Sequence, residues 1–152
     1  MTMPDIETLA EGSVTRQASG RLTVETRGQG FTEITGAASR WVAGTGIRDG
    51  LLTVFCRHTS ASLLIQENAD PDVRRDLLAA FDRLAPRNAG YVHSTEGPDD
   101  MPAHIRTMLS GSSLGIPVVE GRMVLGTWQG LYLVEHRDRP LSRELVFHLI
   151  GA

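Results

Sequence analysis

Two runs of apolar and β-branched residues, 51–56 and 61–65, are separated only by Arg57-His58-Thr59-Ser60. A parallel crossover takes about a dozen residues or more, so strands this close in sequence do not form a βαβ unit. The spacing stays short after Gly111. Strands are read at 116–119, 123–125, 131–135 and 144–150, with a tight turn at Glu120-Gly121. A chain of such neighbours folds as α+β, a mostly antiparallel β-sheet or sandwich with two to three α-helices. A (β/α)8 barrel, at about 250 residues, is excluded by the 152 available.

Helical periodicity is confined to a few stretches. Phe31, Ile34, Ala38, Trp41 and Val42 fall at helical spacing, with Gly44 and Gly46 as the stop. Asp70 and Pro71 form an N-cap and first-turn proline, and Val73, Leu77, Phe81 and Leu84 share one face of the helix that follows. Residues 91–102, rich in Gly, Pro and Asp, read as a loop leading into a short helix over 102–109, with Asp100 as its cap. From Ser13 the chain alternates, and Leu22, Val24 and Thr26 alternate again beyond Ser19-Gly20, which predicts a two-stranded hairpin. Residues 1–11 have no periodicity and are expected to be a frayed tail, leaving 12–152 as a single domain.

The 15 basic and 18 acidic residues are dispersed and give a net charge of −3. That balance offers neither a basic stripe for nucleic acid nor a polybasic anchor for a membrane surface. The amino terminus lacks the basic and apolar segments of a secretory leader, and no apolar run reaches the ~18 residues of a membrane helix, so a cytoplasmic location is expected. Cys56, the single cysteine, excludes an internal disulfide and a Cys-rich zinc site, and reads as a buried, inert thiol.

The chemistry-bearing residues are histidines. His58 closes an apolar strand beside Thr59, Ser60 and Ser62, while His93 and His104 stand at element boundaries near Glu96, Asp99 and Asp100. Alone, His58 reads as a half-buried histidine with hydroxyl neighbours capping local backbone. Three such histidines read as one converging site. Neutral imidazoles suit zinc, and catalytic zinc keeps three protein ligands and an open position. Because no H-E-x-x-H motif is present, the histidines either share a metal or donate hydrogen bonds to a phosphate. Glu67 and Asp76 are available to orient imidazoles or act as bases, whereas Asp70 and Asp72 are explained as charges at a helix N-terminus. The segment Gly126-Thr127-Trp128-Gln129-Gly130 suits a tight bend that either packs Trp128 or presents it. In Glu135-His136-Arg137 the outer side chains share a face opposite His136, and the fork of Arg137 suits a phosphate or carboxylate. His148 reads as structural.

Three motifs, HTSASLLIQENADPDVRRD (58–76), YVHSTEGPDDMPAHI (91–105) and GRMVLGTWQGLYLVEHR (121–137), together resemble the YjbQ family, also called the secondary thiamine-phosphate synthase family. The resemblance implies a YjbQ-like fold, a homotrimer, and polar motif residues gathered near the subunit interfaces. Carried onto this sequence, it implies His58, His93 and His104 as metal ligands and Glu67, Asp76 and His136 in catalysis. It also implies substrate contacts from Thr59, Ser60, Asn68, Asp100, Trp128, Gln129 and Arg137. The corresponding cofactor is a divalent metal, zinc first and magnesium second, with no organic cofactor. The corresponding partner is a small phosphorylated metabolite. The family name implies joining a hydroxymethylpyrimidine pyrophosphate to a thiazole phosphate. Its leaving group is normally held by magnesium through carboxylates together with Lys or Arg. The motifs here offer histidines first, with Arg106 and Arg137 as nearby cations, so a weak or secondary thiamine-phosphate synthase activity is expected. A trimeric protein that binds a metabolite or anion without turnover is the alternative.

Overall fold

A computed structural model describes residues 2–152 as β1 (Arg16–Glu25), β2 (Gly30–Glu33), α1 (Thr35–Thr45), β3 (Gly50–Cys56), β4 (Ala61–Glu67), α2 (Pro71–Leu84), α3 (Asp100–Ser110), β5 (Ser113–Val119), β6 (Arg122–Met123), β7 (Gln129–Glu135) and β8 (Ser142–Gly151). Five strands form one sheet in the order β1-β8-β3-β5-β6, and three form a second in the order β2-β7-β4. Every ladder is antiparallel, as the short connections require. The four residues after β3 carry the chain from the first sheet into the second, which places His58, Thr59 and Ser60 on the bridge between them.

Alternation on β3 and β8 makes the inner face of the larger sheet. Leu52, Val54 and Cys56 pair with Leu149, Phe147 and Leu145, all buried, and meet Ala61, Leu63, Leu131 and Leu133 of the smaller sheet in one core. Helix α1 adds Ala38 and Val42 to that core. The outer face of the smaller sheet is covered by α2, where Phe81 packs on Tyr132 and Val134. Strand β7 is thus enclosed on both faces, and its residues from Gly130 to Glu135 are buried without alternation. Cys56 is buried as expected, and burial pushes its thiol pKa up.

Two expectations are corrected. The hairpin predicted at Ser19-Gly20 is one continuous strand, because Gly20 is there to admit Trp41 of α1: a Cβ at that position would lie 2.6 Å from the indole nitrogen. The first helix starts at Thr35, and Phe31 instead lies in β2, paired with Val134 and set edge-on to Tyr132. Helix α2 follows its sequence signals, with the Asp70 carboxylate accepting from Asp72 N at 2.9 Å and Pro71 in the first turn. Thr2 to Ser13 are exposed, and pairing starts where Thr15 N donates to Gly151 O; Met1 lies outside the described residues. Among the described residues no helix is long and apolar enough to cross a membrane.

Gly50 faces Gly151 across β3 and β8, and a Cβ on Gly50 would overlap the Ile150 carbonyl. Gly50→Ala is therefore expected to destabilise the fold by about 2–3 kcal/mol. Urea unfolding of the two proteins measures this, and an unchanged midpoint would contradict the close approach of these strands.

Candidate metal centre

Helix α3 begins two residues earlier than its sequence suggests, at Asp100, and that shift organises the site. Asp99 is the N-cap but its side chain caps nothing. Both aspartates are claimed by Arg137, which follows β7. Arg137 donates from Nε to Asp99 Oδ2 at 2.9 Å, from Nη1 to Asp100 Oδ1 at 2.7 Å, and from Nη2 to the Glu96 carbonyl at 2.9 Å. The hydrogen bond that Arg137 donates to Asp99 is the largest cause raising the Arg137 pKa, and the charges of Asp99 and Asp100 add to it. Burial pushes the Asp99 and Asp100 carboxyls up, but hydrogen bonds from Arg137 to Asp99, and from His93 to Asp100, outweigh it and hold both below the usual range.

The second oxygen of Asp100 faces the histidines. His93 Nε2 lies 2.6 Å and His104 Nε2 3.2 Å from Asp100 Oδ2, with Glu96 Oε2 3.4 Å from His93 Nε2. Asp100 and His104 stand four residues apart on one helical turn, which brings their side chains together. On its other side, His104 Nδ1 lies 2.8 Å from the Thr59 carbonyl. A carbonyl only accepts, so Nδ1 carries the proton, and in the neutral ring it is the Nε2 lone pair that turns inward, the arrangement that orients a metal-bound imidazole. The four groups offer ligand atoms within 4.8 Å of one another. In tetrahedral zinc with bonds of about 2.0–2.1 Å, ligand atoms sit roughly 3.3–3.4 Å apart. The 3.2 and 3.4 Å separations fit that edge, while the 2.6 Å contact is a hydrogen bond that a metal would open. The hydrogen bond to Asp100 raises the His93 pKa.

The structure brings His93, Asp100, His104 and Arg137 together and adds Glu96. It does not add His58, whose Nε2 accepts from the backbone N–H of Glu144 at 2.8 Å and whose pKa is lowered, first by burial. Thr59 contributes its carbonyl rather than its hydroxyl, and Ser60 Oγ accepts from Arg143 Nη2 at 2.9 Å. Arg137 has all three nitrogens engaged within the protein. Arg106 is buried on Asp82 and the Ala85 carbonyl. Glu67, Asn68, Trp128 and Gln129 lie at the opposite end of the smaller sheet. Glu67 pairs with Gln129 whereas Ala61 pairs with Glu135 near the histidines, six residues and roughly 20 Å away. There Asn68 donates to Glu33 at 3.2 Å, Gln129 closes the bend on Gly126 N at 2.8 Å, and Trp128 is 62% exposed, so it is presented rather than packed. Asp76 is exposed on α2.

His136 is in the core. Its Nε2 lies 2.8 Å from Ser62 Oγ and its ring meets Phe81 edge-on at 5.2 Å. Glu135, on the opposite face, is buried against Arg143, which donates from Nε at 2.6 Å. Sequence reasoning passed over Glu96 and Arg143 as site-forming residues. For the meeting of Asp100 with His104 a signal existed, their i,i+4 spacing, but a helix begun at Pro102 hides it.

A small α+β protein of two antiparallel sheets, carrying a His/Asp centre at the start of its third helix, is the class these features define. The family model described as UPF0047 protein YjbQ-like matches residues 20–152. The UPF0047 protein sll1880 of Synechocystis is 49% identical over 94% of this chain and 98% of that protein. UPF0047 protein YjbQ of Escherichia coli O157:H7 is 43% identical over 86% of this chain and 95% of its own. A crystal structure of hypothetical protein APE1520 from Aeropyrum pernix superposes with a TM-score of 0.82 at 32% identity, covering 89% of this chain and 99% of that one. The chain belongs to the YjbQ/UPF0047 family.

Burial, reinforced by the charge of Arg106, lowers the His136 pKa from 6.5 to about 3. An unfolded chain takes up this proton near pH 6.5 and the folded chain does not, so stability falls as pH drops from 6.5 towards about 3. The loss from this residue is about 1.4 kcal/mol per pH unit. In urea unfolding, the stability difference between wild type and His136→Asn is expected to shift by that amount per unit below pH 6.5 in the variant's favour. A difference constant from neutral to acid pH would contradict the buried, neutral imidazole.

Proposed function

We propose that this protein is a metal-dependent enzyme acting on a small phosphorylated metabolite, with His93, Asp100 and His104 as ligands of one divalent cation. The observation that carries the reading is Asp100 Oδ2 facing both Nε2 atoms while the His104 Nδ1 is fixed on a backbone carbonyl. Two imidazoles favour zinc over magnesium, which prefers oxygen ligands. When bound, the cation supplies positive charge for a phosphate oxygen or a departing pyrophosphate. Arg137 holds the Asp100 carboxylate in place, and Glu96, exposed beside His93, is positioned to accept a proton.

Thiamine-phosphate formation fits this site as a weak, secondary activity. Arg106 and Arg137 are both engaged with protein groups, so neither is free to clamp a pyrophosphate as a dedicated enzyme would. We also propose a homotrimer, with the polar end of the smaller sheet at a contact between copies. The exposed indole of Trp128 and the buried Glu67 Oε2, which has no hydrogen-bond partner, support such a contact.

Purified, unsupplemented protein is expected to hold about one zinc per chain. His104→Ala and Asp100→Asn are expected to weaken zinc binding at least about tenfold, while His58→Ala retains it. Product formed from hydroxymethylpyrimidine pyrophosphate and thiazole phosphate should fall on chelation and return with zinc. Protein free of stoichiometric metal, with that activity untouched by His104→Ala, would end the metal reading. Tight binding of phosphorylated ligands without product under any metal would make the chain a binding protein instead. Light scattering tests the trimer, which requires three times the chain mass of 16.5 kDa; the mass of a single chain at micromolar concentration would contradict it.

A further inference from the structure

The segment between α2 and α3, with the first turn of α3, borders an open surface cavity of about 370 Å³ that shares His93 with the candidate metal centre. Its polar lining comes from Arg87, Asn88, His93 and Ser94, and its apolar walls from Pro98 and Met101. Tyr91 braces the loop by donating its hydroxyl to the Pro86 carbonyl at 2.8 Å. Gly90 and Gly97, at φ +70° and +106°, give the turns that shape it; a Cβ on Gly97 would come within 3.1 Å of Asp99 Oδ1.

The lining contains no carboxylate, although two acids, Glu96 and Asp99, lie on the same segment and Asp100 follows at the start of α3. Glu96 is turned to His93, and Asp99 and Asp100 to Arg137. What remains facing the cavity is a set of donors. Arg87 is meanwhile paired through both terminal nitrogens with Asp138, and both side chains are substantially exposed, at 38% and 47%. The pair is bidentate and so worth more than an ordinary surface ion pair, but both partners are open to solvent and a phosphate offers the same two-oxygen edge, so an oxyanion presented from the cavity can take the place of Asp138.

We propose that this cavity is the binding subsite for a small organic phosphate, with Arg87 exchanging Asp138 for a phosphate oxygen and Asn88 and Ser94 donating to the others. A planar, fixed fork suits that exchange, and the volume suits a one-ring metabolite. The subsite rests on the metal reading only in that a cation at His93 would adjoin it.

Isothermal titration of the zinc-loaded full chain with phenyl phosphate tests it, with zinc content measured on the same samples. Arg87→Met is expected to weaken phenyl phosphate at least about tenfold without changing zinc content. Asp138→Asn, which releases Arg87, is expected to strengthen it. Ser94→Ala serves as a second variant, milder in effect, should Arg87→Met unfold. Wild type that fails to bind phenyl phosphate, or an Arg87→Met protein that binds it undiminished, would overturn the proposal. Loss of binding in Arg87→Met in a chain that holds no zinc would uphold the subsite and defeat the metal reading. Normal zinc content with no Arg87 effect would defeat the subsite alone.

Discussion

The guanidinium of Arg137 joins the end of β7 to the start of α3, and the groups of the candidate centre take their places from it. Its planar fork meets Asp99, Asp100 and the Glu96 carbonyl with one nitrogen each, so the loop, the N-cap and the first helical residue are fixed by a single side chain. Removing one member of a buried ion pair leaves the other charge bare, a loss of about 3–5 kcal/mol. Two carboxylates against one guanidinium also leave a negative excess. Arg137 covers one oxygen of Asp100 and leaves the other facing two imidazoles. The interaction that builds the centre is thus electrically incomplete, which is why a cation is the ligand proposed for it.

A second buried pair places the opposite wall. Arg143 of β8 donates to Glu135 at 2.6 Å and to the Ser60 carbonyl at 3.2 Å, while Glu144 N–H holds His58 Nε2 at 2.8 Å. These bonds fix the bridge between the sheets, and the bridge offers the Thr59 carbonyl to His104. His58 therefore helps to fix the bridge whose carbonyl meets His104. Its nitrogen is occupied by a backbone donor that would otherwise lack a partner on β8.

Local signals were legible where one residue decided the outcome. Asp70-Pro71 marks α2 because a carboxylate cap and a fixed φ act within one turn. Gly20 misleads because its reason lies in Trp41, twenty-one residues away, and Phe31 misleads because helical spacing in a short window also fits a strand followed by a helix. In the site, His93 and His104 were readable as a pair at element boundaries. The separation of Glu67, Trp128 and Gln129 from them was not, since it follows from the pairing of β4 with β7. His136 sits beside two functional-looking neighbours, yet strand alternation turns it to the core under Phe81.

The same atoms hold either protons or a metal. A hydrogen bond from an imidazole to Asp100 Oδ2 needs a proton on Nε2, whereas a metal needs the lone pair there. Because the Thr59 carbonyl keeps the other His104 nitrogen protonated, His104 can hydrogen-bond Asp100 only as an imidazolium, but can ligate a metal as the neutral ring. Metal binding at this centre would therefore expel protons from it. An open cavity lies on the loop side of His93. His93, Asp100 and His104 would leave a cation they held able to take a further ligand, and the adjacent cavity lined with donors is where an anion meeting it would come to rest.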